Sequence, residues 1–193
     1  MSGGCGCDAP GLMPYEQALE QLLSVAKCRQ PTMRVPLSEA LGRVLAEDQR
    51  STVDVPPNDN SAMDGYGLHT DSLDGSFDKS SSDKGAVSKL LISQRVPAGA
   101  DPEPLVPGTA VRIFTGAKIP EGVNVVVKQE DCESITLDGE AAVQVPSDLR
   151  EGQNIRLLGQ DIRQDEVIMP AGTRLQPQHL GVLASVGIGE LTV

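Results

Sequence analysis

The sequence predicts a mainly β chain with a few helices, an α+β fold whose larger part is a small antiparallel β-barrel or sandwich. Two observations carry this. Short apolar runs of strand length, at 87–92, 110–114, 123–129, 141–145 and 167–169, follow one another with Pro and Gly between them. Helical periodicity, by contrast, is limited to brief stretches early and late in the chain.

Taken in order, residues 1–12 are Gly-rich with no hydrophobic period and are expected to form a disordered tail. Within 13–30, Leu19, Leu22, Leu23 and Ala26 recur at helical spacing from Met13 to about Lys27, with Tyr15 and Ala18 on the same face. That pattern predicts an amphipathic helix, and its apolar face needs a cover. Residues 35–45 read as a strand entering a short helix, with Ser38 as N-cap and Gly42 as stop. Ser, Asp, Gly and Lys dominate 71–85. Such a segment buries too little apolar area to offset the entropy of ordering, so a mobile surface loop is expected there. After the run of strands, Pro177 opens a helix through Leu180, Leu183 and Ala184, Gly187 closes it, and 188–193 resumes an extended pattern.

Residues 56–66, Pro56-Pro57-Asn58-Asp59-Asn60-Ser61-Ala62-Met63-Asp64-Gly65-Tyr66, concentrate turn formers and side-chain oxygens beside one aromatic ring. Prolines fix φ on the way in, and Asp59, Asn60 and Ser61 can bond nearby backbone. An ordered loop follows, one that holds Asp59 and Asp64 in place. Asp54, Asp59 and Asp64 recur at a fixed interval, but the spacing is wrong for an EF-hand and turn capping accounts for it.

Composition narrows the function. A formal charge of −11 repels phosphate backbones and anionic lipid, so neither nucleic acid nor a membrane is an expected partner. No apolar run reaches the length of a membrane span and the start lacks a signal-peptide pattern, so a soluble cytoplasmic protein is expected. Cys5 and Cys7 are close together while Cys28 and Cys132 stand alone, which favours free thiols over a zinc site. His69 and His179 lack partners at ligand spacing and read as surface or packing residues. No Ser-His-Asp order, Cys-His pair or phosphate-binding Gly-rich loop stands out.

Asp59-Asn60-Ser61-Ala62-Met63-Asp64-Gly65-Tyr66 resembles the signature loop of the molybdopterin molybdenumtransferases, the MoeA and gephyrin E-domain family of molybdenum cofactor synthesis. Further matches follow in that family's order: Ser93-Gln94-Arg95-Val96-Pro97-Ala98-Gly99, then Arg112-Ile113-Phe114-Thr115-Gly116-Ala117-Lys118-Ile119-Pro120-Glu121-Gly122, then Gly152-Gln153-Asn154-Ile155-Arg156 and Gly159-Gln160-Asp161-Ile162. The resemblance implies a barrel-like domain at 51–161, inserted into a discontinuous β-rich domain of 31–50 and 162–193. It also implies that the first helix packs on a later domain or on a partner subunit. The family's α/β domain would come next, so the chain is expected to be an N-terminal portion.

The activity implied is insertion of molybdate into adenylylated molybdopterin with release of AMP, assisted by Mg2+. Asp64 and Asp161 match family positions tied to activity and are the expected metal ligands; with Thr115 they form the expected catalytic set. Ser61, Arg112, Lys118 and Arg156 are the expected cofactor-binding residues. Arg112 and Lys118 flank Thr115-Gly116, where a hydroxyl and a close-approaching backbone could donate to an oxyanion, and Arg156 shares a loop with Asp161. By the same resemblance the chain is expected to be a homodimer, with molybdopterin adenylyltransferase and molybdenum-enzyme maturation proteins as further partners. The alternative is a noncatalytic dimerisation or scaffold module of that family.

Overall fold

The computed structural model describes residues 13–26, 31–73 and 87–193. The expected tail at 1–12, the stretch 27–30, most of the 71–85 loop, and Cys5, Cys7 and Cys28 lie outside these residues. Among these residues the fold is mostly strands with two α-helices. Helix α1 spans Tyr15–Val25, shorter than the periodicity predicts, because Pro14 precedes it and Ala26 turns to extended backbone. None of its residues is buried.

The strands are β1 (Arg34–Pro36), β2 (Gln49–Arg50), β3 (Asn60–Ser61), β4 (Gly65–Leu68), β5 (Val87–Val96), β6 (Thr109–Ile113), β7 (Val125–Lys128), β8 (Glu133–Leu137), β9 (Glu140–Pro146), β10 (Ile155–Arg156), β11 (Val167–Met169) and β12 (Glu190–Thr192). Sequence-distant segments meet in one core. β1 pairs antiparallel with β12, placing Val35 opposite Leu191, and β2 pairs antiparallel with β11. Val35, Ala40, Leu45, Met169, Leu175 and Leu191 close around Leu183 of helix α2 (Pro177–Ser185). Burying each such Leu is worth roughly 1.5–3 kcal/mol, which ties the early segment to the late one. Ser38 does not cap a helix. It lies inside a 3-10 turn, Leu37–Glu39, that Pro36 begins with its φ of −57°.

A second, larger sheet runs in the order β7-β4-β6-β5-β9-β8. Its pairs are antiparallel except β5 with β6, which are parallel. Alternation alone gives no strand direction, and the Pro-rich connection through 97–108 supplies the length that a parallel crossover requires. β5 serves two neighbours, pairing β9 over Val87–Leu91 and β6 from Leu91 onward, with an irregularity between Ile92 and Gln94.

Period-two alternation divides this sheet into two faces. Tyr66, Leu68, Ala110, Val125 and Val127 pack with Leu90, Val143 and Val145 on one side. Val111, Ile113 and Val126 pack with Val96, Leu105, Ala117 and Val123 on the other. β4 reads Gly-Tyr-Gly-Leu because its glycines lie against neighbours. A Cβ on Gly65 would sit 1.8 Å from the Val127 carbonyl oxygen, and one on Gly67 would sit 3.0 Å from Val111 and Val123 side-chain atoms. Asp64 is thereby delivered to the mouth of a strand that is buried throughout.

Candidate functional site

Asp48, Asp54 and Asp59 each accept a backbone N–H from far along the chain: Ala171 at 2.8 Å, Gln164 at 3.0 Å and Leu158 at 2.7 Å. As one acid advances, its partner retreats, which is the signature of two segments stitched antiparallel. Asp64 departs from this series. Its Oδ1 accepts both the Thr115 N–H and the Thr115 hydroxyl, each at 2.8 Å, and its main-chain carbonyl accepts the Gln129 N–H at 3.0 Å. Bonding from the Thr115 backbone, then from its hydroxyl, holds the carboxyl below its ordinary value of 3.8; Arg112 adds to this and desolvation opposes it. Asp64 is therefore kept charged, in a fixed orientation, with Oδ2 left over.

Arg112, on β6 opposite Tyr66, reaches around this carboxylate. Its guanidinium donates to the Gly65 carbonyl at 2.8 Å and to Gln129 Oε1 at 2.6 Å, and lies over the rings of Tyr66 and Phe114 at 5.1 and 4.7 Å. Ser61 is 1% exposed. Its hydroxyl donates to the Met63 carbonyl at 2.6 Å and accepts the Met63 N–H at 3.3 Å, while its backbone bonds Ala117 and Gly116. Ser61 thus shapes the turn that aims Asp64. Of Thr115-Gly116, read in the sequence as an anion corner, Thr115 clamps the Asp64 carboxylate while the Gly116 N–H bonds the Ser61 carbonyl.

The remaining sequence candidates gather around Asn60. Asn60 lies opposite Arg156 in the β3–β10 pair and bridges Lys118. Lys118 Nζ contacts Asp101 Oδ1 at 2.6 Å, and Arg156 pairs with Asp161. Beside them opens a cleft of about 360 Å3, whose lining includes Pro57, Asn60, Gly99, Asp101, Gly116 and Lys118. The Asn60 side-chain oxygen is buried without a hydrogen-bond partner among the described residues. Three carboxylates result, Asp64 locked by neutral donors and Asp101 and Asp161 each neutralised by a cation. Among the described residues, no three His, Cys, Asp or Glu side chains cluster as a preformed metal site.

Sequence reasoning missed Gln129 and Asp101. Gln129 holds both Asp64 and Arg112, yet no local pattern marks a residue whose partners lie on other strands. His69 and His179 accept the N–H groups of Asp71 and Gln176 at 3.2 and 3.3 Å in local turns. The Cys132 thiol is pushed up to about 11, mainly by burial, with Asp131 adding to the effect. No helix among the described residues is long and apolar enough to cross a membrane.

Comparison with known proteins places this geometry. A molybdopterin molybdenumtransferase of Synechococcus elongatus is 38% identical over 185 residues, covering 94% of this chain and 43% of the relative. One from Haemophilus influenzae is 34% identical over 181 residues, covering 93% and 41%. The crystal structure of a molybdopterin biosynthesis moeA protein from Pyrococcus horikoshii superposes with a TM-score of 0.76 at 36% identity, over 94% of this chain and 46% of that one. The chain thus spans less than half the length of these relatives. The model of the MoeA N-terminal region (domain I and II) matches residues 13–187, taking in the Asp64 clamp and both of the sheet's faces, and the chain belongs to that family.

Proposed function

We propose that this chain works in molybdenum cofactor synthesis as the N-terminal region of a molybdopterin molybdenumtransferase, which takes up molybdate on adenylylated molybdopterin and releases AMP. The observation that carries the proposal is the Asp64 clamp. A carboxylate held by Thr115 through neutral donors keeps its full charge and leaves Oδ2 directed by a fixed Oδ1. A paired carboxylate would need to break an ion pair before acting.

Mg2+ is the cation this chemistry calls for, and it binds through one or two carboxylates while water and substrate oxygens complete its shell. The donor set meets that modest requirement: Asp64 would hold the ion through Oδ2, and Asp161 would join on leaving Arg156. When bound, the ion would offset negative charge on the phosphate oxygens of the substrate. Arg112 keeps Gly65 and Gln129 in place around Asp64. Lys118 and Arg156 would meet anionic groups by exchanging Asp101 and Asp161 for them, an exchange their exposure permits. A site built this way handles anions in a chain of net charge −11 because its cations are local.

Homodimerisation belongs to this reading, as do encounters with molybdopterin adenylyltransferase and with proteins that mature molybdenum enzymes in the cytoplasm. A noncatalytic dimerisation or scaffold module is the second reading, favoured by helix α1, where Leu22 and Leu23 are 67% and 64% exposed. The test is molybdate-dependent AMP release from adenylylated molybdopterin with Mg2+. The chain is assayed alone and joined to the part of the Synechococcus relative that it does not span. Turnover in the joined protein supports the enzyme; absence of turnover in a folded joined protein leaves the scaffold reading.

A further inference from the structure

We propose that Arg95 and Arg112 together form a binding site for a tetrahedral oxyanion. The two residues face each other in the parallel β5–β6 pairing. Val96 and Ile113, the next pair along, belong to the opposite core, so Arg95 and Arg112 share the Tyr66 face of the sheet. Facing side chains in a sheet have Cβ atoms about 5 Å apart, a spacing at which like charges repel. Both guanidiniums nevertheless lie over one ring, that of Phe114, at 4.8 and 4.7 Å from its centre.

Their surroundings make this arrangement unusual for a purely structural pair. The chain has 27 acidic residues against 16 basic ones, yet among the described residues neither arginine forms an ion pair. Arg112 bonds two neutral oxygens, those of Gly65 and Gln129, and keeps further N–H donors. Arg95 is exposed and makes no hydrogen bond among the described residues. Contact with the Phe114 ring holds both guanidiniums without drawing on their donors. Two preset guanidiniums with spare donors suit the oxygens of phosphate or a phosphate-like dianion, which each can grip in bidentate fashion. Binding such an anion also relieves the repulsion between them. The site adjoins the Asp64 clamp, because Thr115 follows Phe114 and Arg112 binds the residue after Asp64.

Which molecule carries the oxyanion follows from the proposed function; the existence of the site does not. The experiment is calorimetric titration of the chain at low ionic strength with inorganic phosphate, AMP and molybdate, comparing wild type with Arg95→Gln and Arg95→Lys. One equivalent is expected to bind wild type, with affinity falling as salt is added. Arg95→Gln should weaken it by about tenfold or more and Arg95→Lys by less, since lysine keeps the charge and loses the fork. Preference for AMP over phosphate would assign the nucleotide, and preference for molybdate would assign the metal oxyanion. Binding unchanged in Arg95→Gln, or no binding of any probe to wild type, would overturn the proposal. Arg95-dependent binding in a protein that never releases AMP would sink the enzyme reading and leave this one standing.

Discussion

Two loops of this molecule each present an aspartate near the same strand, β3, and they treat it in opposite ways. The 59–66 loop gives Asp64 to the N–H and hydroxyl of Thr115, and the 156–161 loop gives Asp161 to Arg156. Neutral donors fix a carboxylate and preserve its charge, whereas a guanidinium fixes it and cancels the charge. The difference separates an acid prepared for an incoming cation from one engaged within its own loop. Backbone constraint differs in parallel: a Cβ on Gly65 would sit 1.8 Å from a main-chain oxygen, while one on Gly159 would meet side-chain atoms alone, Asp54 at 2.9 Å and Arg163 at 3.3 Å.

The largest effect should come from Gly65→Ala. A backbone oxygen between two paired strands has nowhere to go, so a loss of about 3 kcal/mol or more is expected in urea unfolding. Gly159→Ala should cost less, about 1 to 2 kcal/mol, from a positive φ of 65° and displacement of the Asp54 carboxylate from the Gln164 N–H. Equal costs would remove the contrast in constraint.

Thr115→Val comes next and sharpens the contrast in charge. It deletes the hydroxyl donor but keeps the N–H, so the Asp64 pKa should move back up toward 3.8, and AMP release should drop by about tenfold. Because the folded value lies below 3.8, the clamp stabilises the fold above that pH and its contribution disappears as pH falls toward the folded value. Urea midpoints of variant and wild type should therefore differ at about pH 6 and converge as pH falls through the folded value. Smallest is Asp161→Asn. Both partners of the pair are more than 40% exposed, so stability should change by less than about 1 kcal/mol in the same unfolding assay.

Much of this was legible in the sequence, for identifiable reasons. Strands such as β5 and β9 announce themselves through apolar alternation, and α2 through Pro177, its leucines and Gly187. β4 did not, because its glycines answer to Val127, Val111 and Val123 on other strands. The interval of Asp54, Asp59 and Asp64 suggests turn capping in the sequence, with Asp64 also an expected metal ligand, yet all three accept backbone N–H groups from distant segments instead of capping their own turns. Their donors, Gln164, Leu158 and Thr115, lie too far along the chain for any local pattern to reveal. For the same reason Thr115 was found as a donor but not matched to Asp64, and Gln129 was not found. Chemistry-bearing residue types are local information, while pairing is a property of the fold.

The central claim, that Asp64 acts through a charge the clamp preserves, is tested most directly by Asp64→Asn in the joined protein. Asparagine keeps an oxygen for Thr115 and removes only the charge, so folding reports on geometry and AMP release reports on function. The account predicts a cooperatively folded variant whose thermal midpoint at neutral pH drops only slightly, by the lost contribution of the charged clamp, with molybdate-dependent AMP release reduced by about a hundredfold or more. Release at the wild-type rate would contradict it and return Asp64 to the series of stitching aspartates that begins with Asp48.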